Sequence, residues 1–375
     1  MAIDERGRVG ACRVIAVVKI GTSSITDLDG SIDIAAVERV CAHLAVARAA
    51  GHQVVLVTSG AIAAGLPALG LSARQRPADS QTLQAVSAVG QARLMATYNE
   101  ALAAAGLAAG VGALVAGQVL LAPLDFMVRQ QYLHARSTLG RLLELGVVPI
   151  VNENDAVADD EIRFGDNDRI AALVAQLVGA DVLVLLTDIQ GLLTADPRLD
   201  DSASLIEDII EVDHELEALA GGTGSARGSG GMATKLAAAK IAAWSGVRTV
   251  IAAADRDHVV ADAIAATSGV GTIVWPRERR LGSRKVWIAF AVGASGRVHV
   301  DEGARVALVE RDRSLLAPGI TKVEGDFAID DAVEVVGPEG DVFAKGLVRA
   351  SAEAVRGAAS DLGVVIHRDD LVMLP

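Results

Sequence analysis

Runs of five or more mainly apolar residues recur along the first three quarters of this 375-residue chain, without alternation between apolar and polar positions. Such runs are typical of strands buried on both faces of a parallel sheet that is covered by helices. They lie at residues 14–18, 54–58, 111–121, 147–152, 182–187 and 249–253. The pattern therefore predicts a mostly parallel β-sheet.

Longer, alanine-rich stretches with helical periodicity separate these runs. They lie at residues 34–50, 80–105, 132–145, 168–179 and 232–245. Strands that alternate with helices of this length are typical of an open α/β fold with helices flanking a wound parallel sheet. We predict that fold class for residues 11–270.

Residues 101–124 contain no charge and are numerous enough to span a bilayer. Alanine and glycine dominate the stretch, however, whereas membrane insertion depends mainly on leucine, isoleucine, phenylalanine and valine. We therefore predict the end of a helix, a turn and a buried strand here, and no membrane partner.

The pattern changes after residue 270, where a basic segment punctuated by glycine and proline precedes short apolar runs with turns between them. The runs lie at residues 286–292, 298–300, 305–308, 333–336, 342–348 and 364–366. Short strands at such spacing predict a separate, mainly β domain at residues 284–375, after a linker at 271–283. Residues 1–10 are interpreted as an N-terminal extension.

Composition narrows the functional classes. The net charge of −13 disfavours a dedicated nucleic-acid binder, because it repels phosphate polyanions at long range. Two cysteines, Cys12 and Cys41, are too few for a disulfide framework or a four-cysteine zinc site, so we expect a reducing compartment. The first 21 residues lack the order of regions found in a signal peptide, and this favours the cytoplasm.

Candidate chemistry follows the ends of the predicted strands, where open α/β sheets bind ligands. The first run ends in Lys19, Ile20 and Gly21, followed by hydroxyl side chains, which suits a phosphate contact. The second ends in Thr58 and Ser59, before a glycine and a helix. Each motif alone also fits an ordinary turn.

A glycine-rich segment at residues 228–235, GSGGMATK, opens the last predicted helix of the α/β part. Backbone N–H groups of such a loop can surround phosphate oxygens while Lys235 supplies positive charge. The spacing is not that of a P-loop, and the sequence contains no GxGxxG. A flexible linker with a helix cap remains the alternative.

Carboxylates and amides are concentrated at residues 152–155 and 166–168, after the fourth apolar run. Together they can bind the ammonium group of an amino acid or a phosphate-bound Mg²⁺, although a solvated acidic loop is the alternative. The fifth run ends in Thr187 and Asp188, which suit a nucleotide. The five signals together favour phosphoryl transfer, whereas the seven histidines follow no catalytic or metal-binding spacing.

These motifs, KIGTSS, VTSGAIAAG, VNENDAV, FGDNDRIAAL, LLTDIQGLLTADPR and GSGGMATK, together resemble the bacterial glutamate 5-kinases of the amino-acid-kinase superfamily. The segments VHVDEGA, SLLAPGITKVEGDF and VIHRDDL resemble the PUA domain that many of these enzymes carry. The resemblance implies ATP- and Mg²⁺-dependent phosphorylation of the side-chain carboxylate of L-glutamate, the first step of proline biosynthesis. It further implies feedback inhibition by proline and assembly into a dimer or tetramer.

By motif position, the resemblance implies roles for individual residues. The implied ATP-binding residues are Lys19, Thr187, Asp188, Ser229, Gly230, Gly231, Met232, Ala233, Thr234 and Lys235. The implied glutamate-binding residues are Ser59, Asn152, Asp155, Asp166 and Asn167. Lys19, Lys235 and Asp168 are implied to be the catalytic residues, with Asp168 orienting both lysines. The ligands of Mg²⁺ are left open, apart from the phosphates of ATP.

Two alternatives stay open. A sibling kinase with another small carboxylate or carbamate substrate would have a similar ATP site, although the segments VNENDAV and FGDND favour glutamate. The C-terminal part could instead bind RNA, because five basic side chains are close together at residues 277–285. Residues 276–375 carry 14 basic and 16 acidic side chains, which argues against that reading.

Overall fold

The computed structural model describes residues 13–72, 76–157, 167–195, 200, 202–220, 231–278, 280–357 and 362–374. The chain forms two compact units, which divide between Arg280 and Leu281. The division falls inside the segment 271–283 that the sequence marks as a linker. The finer boundaries given for the extension and the domains stay predictions.

The first unit alternates strands and helices as the apolar pattern predicts. Its elements are β1 (Ile15–Ile20), α1 (Ile34–Ala49), β2 (Gln53–Val57), α2 (Ala61–Gly65), α3 (Ser80–Ala108), β3 (Ala116–Leu121), α4 (Pro123–Met127), α5 (Arg129–Glu144), β4 (Val148–Glu153), α6 (Asn167–Val178), β5 (Val182–Thr187), β6 (Asp208–Ile209), α7 (His214–Ala220), α8 (Met232–Trp244), β7 (Arg248–Ala253), α9 (Val259–Ala265) and β8 (Thr272–Val274).

The strands form one sheet in the order β3-β4-β2-β1-β5-β7-β8-β6. All neighbouring strands are parallel except β7 and β8, so the predicted mostly parallel α/β fold is confirmed. In the register, Lys19 of β1 lies opposite Val57 of β2 and Leu185 of β5. The carboxyl ends of the central strands are therefore level, and the residues that follow them meet at one edge.

The stretch at residues 101–124 ends a helix, turns and enters a strand, as expected, but two details of the prediction are wrong. The strand begins only at Ala116, because Gly110 and Gly112 have φ angles of 75° and 80°, which belong to a turn. It is also an edge strand that is largely half-exposed rather than buried, with β4 as its neighbour. Within the described chain, no helix is long and apolar enough to cross a membrane.

Two glycines allow α2 and α3 to cross in close contact. A Cβ atom at Gly90 would lie 1.8 Å from the backbone oxygen of Ala61, and one at Gly65 would lie 2.1 Å from the oxygen of Val86. Such distances are far inside van der Waals contact, so only glycine fits at either position. The crossing fixes α3 against α2, which begins two residues after Ser59.

Cys41 lies on the buried face of α1, and burial, with a smaller contribution from Glu38, raises the pKa of its thiol to about 12. At pH 8 only roughly one thiol in 10,000 is then a thiolate, the reactive form. We expect a Cys12→Ser variant to resist alkylation by iodoacetamide when folded and to be labelled once in guanidinium chloride. Mass spectrometry checks this; labelling of the folded protein at the rate of a free thiol would contradict it.

The second unit is mainly β and has its own apolar core. Its elements are α10 (Ser283–Val286), a π-helical turn (Trp287–Ala291), β9 (Gly296–Val300), α11 (Glu302–Val309), β10 (Leu315–Leu316), β11 (Ile320–Gly325), β12 (Ala332–Val336), β13 (Val342–Val348), α12 (Ala352–Gly357) and β14 (Val364–Met373). The sheet order is β10-β14-β13-β12-β9-β11, with antiparallel neighbours except β9 and β12.

Two of the short runs predicted as strands in this unit are helical. Residues 305–308 lie in α11, where the carboxylate of Asp301 caps the helix by accepting a hydrogen bond from the N–H of Ala304 at 2.7 Å. Residues 286–292 begin in a helical turn whose end is held by the buried Lys345, which donates to the backbone oxygen of Val292. The cap from Asp301 and the hydrogen bond from Lys345 favour helical structure in these two segments. Their mainly apolar sequences alone are compatible with either a helix or a strand.

Candidate active site

A buried cluster of three charged side chains lies at the carboxyl edge of the sheet. Asp168, in the first turn of α6, has no solvent-exposed side-chain area. Its Oδ1 lies 2.5 Å from Nζ of Lys19, the penultimate residue of β1. Its Oδ2 lies 3.2 Å from Nζ of Lys235, in the first turn of α8. We name these three residues the charge cluster.

Opposing effects act on the pKa of Asp168. Burial alone would raise it, but the ammonium groups of Lys19 and Lys235 hold it below its ordinary value of 3.8. The carboxylate therefore stays ionised at neutral pH and fixes both lysines. Two ammonium groups held at one buried carboxylate can contact an anionic ligand such as a phosphate.

The start of α8 adds backbone donors beside the charge cluster. Gly231 precedes the helix, and Met232, Ala233 and Thr234 form its first turn, whose N–H groups have no partner within the helix. The hydroxyl of Thr234 contacts Oδ2 of Asp168 at 3.2 Å and donates to the backbone oxygen of Gly231 at 2.8 Å. A helix N-terminus with a lysine beside it suits phosphate oxygens. Ser229 and Gly230 lie outside the described residues.

A second cluster, of amide and hydroxyl groups, adjoins the charge cluster through Asn167, the residue before Asp168. Nδ2 of Asn167 lies 2.7 Å from Oγ of Ser59, 2.9 Å from the backbone oxygen of Thr58 and 3.1 Å from Oδ1 of Asn152. These residues come from the ends of β2 and β4 and the start of α6. We name Ser59, Asn152 and Asn167 the amide cluster.

Asn167 keeps one buried acceptor for a ligand or a water molecule, because its Oδ1 receives no hydrogen bond from the described residues. Asp155, another predicted glutamate ligand, lies just beyond β4 and accepts a hydrogen bond from the hydroxyl of Ser87 at 2.8 Å. Asp166 lies outside the described residues.

The sequence interpretation missed two buried polar residues on α3, Ser87 and Gln91. Oε1 of Gln91 accepts a hydrogen bond from Nδ2 of Asn152 at 2.9 Å, and Ser87 contacts Asp155 as described above. Both side chains are more than nine-tenths buried. The two residues lie four positions apart on a face of α3 that is otherwise apolar. That spacing is the sequence signal by which they could have been found.

Thr187 ends β5 and Asp188 follows it, and the hydroxyl of Thr187 donates to Oδ1 of Asp188 at 3.1 Å. A cavity of about 180 Å³ opens beside them. It is lined by Ile20, Ser24, Ala36, Arg39, Val40, Thr187, Asp188, Ala254 and Asp255. The cavity lies where the strands β1, β5 and β7 end.

The described residues contain no group of three or more histidine, cysteine, aspartate or glutamate side chains arranged to hold a metal ion. Asp168 is already engaged by two ammonium groups. Mg²⁺ in proteins is commonly bound through one or two carboxylates together with the phosphates of a substrate.

Two of the basic residues behind the RNA alternative, Arg277 and Arg284, form contacts inside their own units. Arg277 pairs with Glu211 and stacks over Trp244, with 4.4 Å from the guanidinium carbon to the ring centre. Arg284 lies 2.7 Å from Asp370. Arginines with such partners are less available to RNA phosphates.

Comparison with known proteins divides the chain in the same way as the structure. The family model described as "Amino acid kinase family" matches residues 14–253. The model described as "PUA domain" matches residues 296–369.

Curated relatives match almost the whole chain. The glutamate 5-kinase of Pelobacter propionicus is 42% identical, and the alignment covers 96% of this chain and 97% of that protein. The glutamate 5-kinase of Frankia casuarinae is 47% identical, with 96% of each chain covered. Among solved structures, carbamate kinase from Giardia lamblia bound to AMP-PNP matches 71% of this chain and 99% of its own, with a TM-score of 0.52 and 17% identity. That last likeness concerns the fold.

Proposed function

The chain belongs to the amino acid kinase family, and from this premise we propose that it transfers the γ-phosphoryl group of ATP to the side-chain carboxylate of L-glutamate. The product is L-glutamyl 5-phosphate, the first intermediate of proline biosynthesis. The observation that carries the proposal is the junction of the charge cluster with the amide cluster at Asn167 and Asp168, in a chain that is similar over its full length to glutamate 5-kinases.

The amide cluster and Asp155 bind the acceptor in this proposal. The carboxylate of Asp155 suits the ammonium group of glutamate, and the hydroxyl of Ser59 and the amides of Asn152 and Asn167 suit its carboxylates. Asp166 completes the set by motif position. Because Asn167 and Asp168 are consecutive, an acceptor bound to the first lies next to the charge bound by the second.

The charge cluster and the start of α8 bind the phosphates of ATP. Lys19 and Lys235 contact the phosphoryl oxygens, and the N–H groups from Gly231 to Thr234 surround them, with Ser229 and Gly230 completing the loop. Thr187 and Asp188 bind the nucleoside part beside the cavity. Asp168 has no contact with substrate in this scheme and keeps both lysines in place.

The reaction needs positioning and charge stabilisation rather than a general base. A glutamate carboxylate, with a reference pKa of about 4.3, is already ionised at neutral pH. One of its oxygens forms a bond to the γ-phosphorus, the bond between that phosphorus and the β,γ-bridging oxygen breaks, and ADP leaves with the electron pair. The lysines and backbone N–H groups stabilise the charge shared by the two anions. Mg²⁺ supplies further neutralisation when it enters with the phosphates.

We also propose, from the same relationship, that proline inhibits the enzyme, that the chain forms a dimer or tetramer and that it acts in the cytoplasm. These properties accompany the predicted pathway, in which the end product would control the first step. The similarity of the whole chain to glutamate 5-kinases supports them.

The first test is an acceptor panel. With ATP and Mg²⁺, we expect acyl phosphate, trapped as a hydroxamate, with L-glutamate but not with N-acetyl-L-glutamate or L-aspartate. Proline should lower the rate with L-glutamate. Selectivity for another acceptor would overturn the glutamate assignment and retain the kinase, and turnover without proline sensitivity would overturn only the regulatory proposal.

A further inference from the structure

Helix α3 carries two buried polar side chains one helical turn apart, Ser87 and Gln91, with exposed fractions of 4% and 7%. Their neighbours on the same face are apolar, including the fully buried Val86 and Leu94. A buried polar side chain is costly unless it forms a hydrogen bond, so the partners of these two residues indicate what they do.

Ser87 and Gln91 each form a hydrogen bond with a different residue of the site proposed to bind glutamate. The hydroxyl of Ser87 donates to Oδ2 of Asp155 at 2.8 Å. Oε1 of Gln91 accepts from Nδ2 of Asn152 at 2.9 Å. The other end of the Gln91 amide, Nε2, is buried and donates to no acceptor in the described part of the chain. In the described part of the chain, the polar end of Gln91 therefore acts through its hydrogen bond to Asn152.

The hydrogen bond from Asn152 to Gln91, together with the one that Asn152 accepts from the N–H of Glu153, fixes which way the Asn152 amide is turned. With Nδ2 directed at Gln91, Oδ1 faces the opposite way and accepts from Nδ2 of Asn167 at 3.1 Å and from the N–H of Glu153 at 2.9 Å. Asn167 in turn contacts Ser59. A rotated Asn152 amide would present a donor to the Asn167 donor, so Gln91 acts on the whole amide cluster through Asn152.

We propose that Ser87 and Gln91 are positioning residues of the acceptor site, acting through Asp155 and Asn152 respectively. This inference rests on the proposed function, because the same site is assigned to glutamate above. The glycine crossing of α2 and α3 supports it, since α2 begins two residues after Ser59 and fixes α3 relative to that side of the site. One face of α3 thus orients the acceptor-binding side chains that come from β2, β4 and α6.

The test uses Gln91→Met, which keeps the length of the side chain and removes its hydrogen bond, and Ser87→Ala. In each variant we expect the KM for the acceptor to rise about tenfold, the usual effect of one lost hydrogen bond to a buried or charged group. The KM for ATP and kcat should stay within about twofold of wild type, because the charge cluster is untouched. Gln81→Met, an exposed glutamine on the same helix, is the matched control and should change neither.

Two further variants distinguish positioning from general support of the fold. Gln91→Met should have little effect in an Asn152→Ala background, because the residue through which it acts is absent; equal effects in both backgrounds would overturn the proposal. Ser87→Thr keeps the hydroxyl and should restore the acceptor KM relative to Ser87→Ala. A lower kcat, a higher KM for both substrates and a lower Tm in the same variant would indicate a structural role. That result would also overturn the proposal.

The acceptor panel separates this inference from the proposed function. If wild type prefers another amino acid, the variants are measured with that acceptor, and the glutamate assignment fails while the positioning role is still tested. If wild type phosphorylates none of the acceptors, the proposed function fails and the positioning role fails with it. Normal glutamate turnover with an unchanged acceptor KM in both variants would overturn the positioning role alone.

Discussion

Replacing Asp168 with asparagine is expected to lower the free energy of unfolding by about 3–5 kcal/mol, the usual cost of removing one partner from a buried ion pair. The side chain is fully buried between Lys19 and Lys235, and the variant removes the carboxylate that both ammonium groups contact. Equilibrium unfolding in urea at pH 7 measures the effect. The exposed Asp29→Asn is the control and should lie within about 0.5 kcal/mol of wild type.

The loss should depend on pH in a defined direction. Because the folded-state pKa of Asp168 lies below its ordinary value of 3.8, the unfolded chain takes up a proton there that the folded chain does not. The stability due to this group is fully present above the ordinary pKa and is lost as the pH falls below it toward the folded value. The difference between wild type and Asp168→Asn should therefore shrink below about pH 4. A difference that is small at pH 7, or that grows at low pH, would contradict this account.

Replacing Lys235 with methionine is expected to lower kcat on the order of 100–1,000-fold, the range found when one preorganised donor to a transition-state charge is removed. Methionine fills the same space, and Asp168 keeps Lys19 as its partner, so folding should survive. Steady-state kinetics with ATP and the preferred acceptor measure the effect. Lys240→Met, further along α8 and paired with Glu217, is the matched control and should keep kcat within about twofold.

The balance between kcat and KM is the informative part of that experiment. A group that acts mainly in the transition state lowers kcat and kcat/KM together. An unchanged kcat with a raised KM for ATP would instead show that Lys235 binds ground state and transition state equally, and would contradict the catalytic role proposed for it.

Much of the active site could be predicted because parallel strands deliver their ends to one edge of a sheet. Lys19, Ser59, Asn152 and Thr187 each lie at or just after such an end, and the apolar runs locate those ends within two residues. What the pattern does not contain is the distance between side chains that are remote in sequence. The contact of Lys19 with Lys235 through Asp168 requires the strand order and the packing of α6 against α8.

Ser87 and Gln91 show why supporting residues are harder to find. A serine and a glutamine within an alanine-rich helix look like ordinary surface positions, yet both are buried where they contact Asp155 and Asn152, which are more than 60 residues away in sequence. The wrong strand predictions have a similar cause. Residues 305–308 could form either structure, and the local N-cap from Asp301, which the apolar pattern does not include, favours the helix.

The position of β1 in the sheet has a consequence for how the chain folds as it is synthesised. Its neighbour β2 follows soon after it, but its other neighbour, β5, and the helix that carries Lys235 emerge up to roughly 200 residues later, or about 10–40 s at typical elongation rates. During that interval one edge of a central strand that is apolar except for Lys19 lacks its partner, and exposed edges of this kind invite chaperone binding or aggregation. Lys19, Asp168 and Lys235 come together only once α8 has packed against α6, so appearance of kinase activity on the ribosome would report completion of this unit's fold.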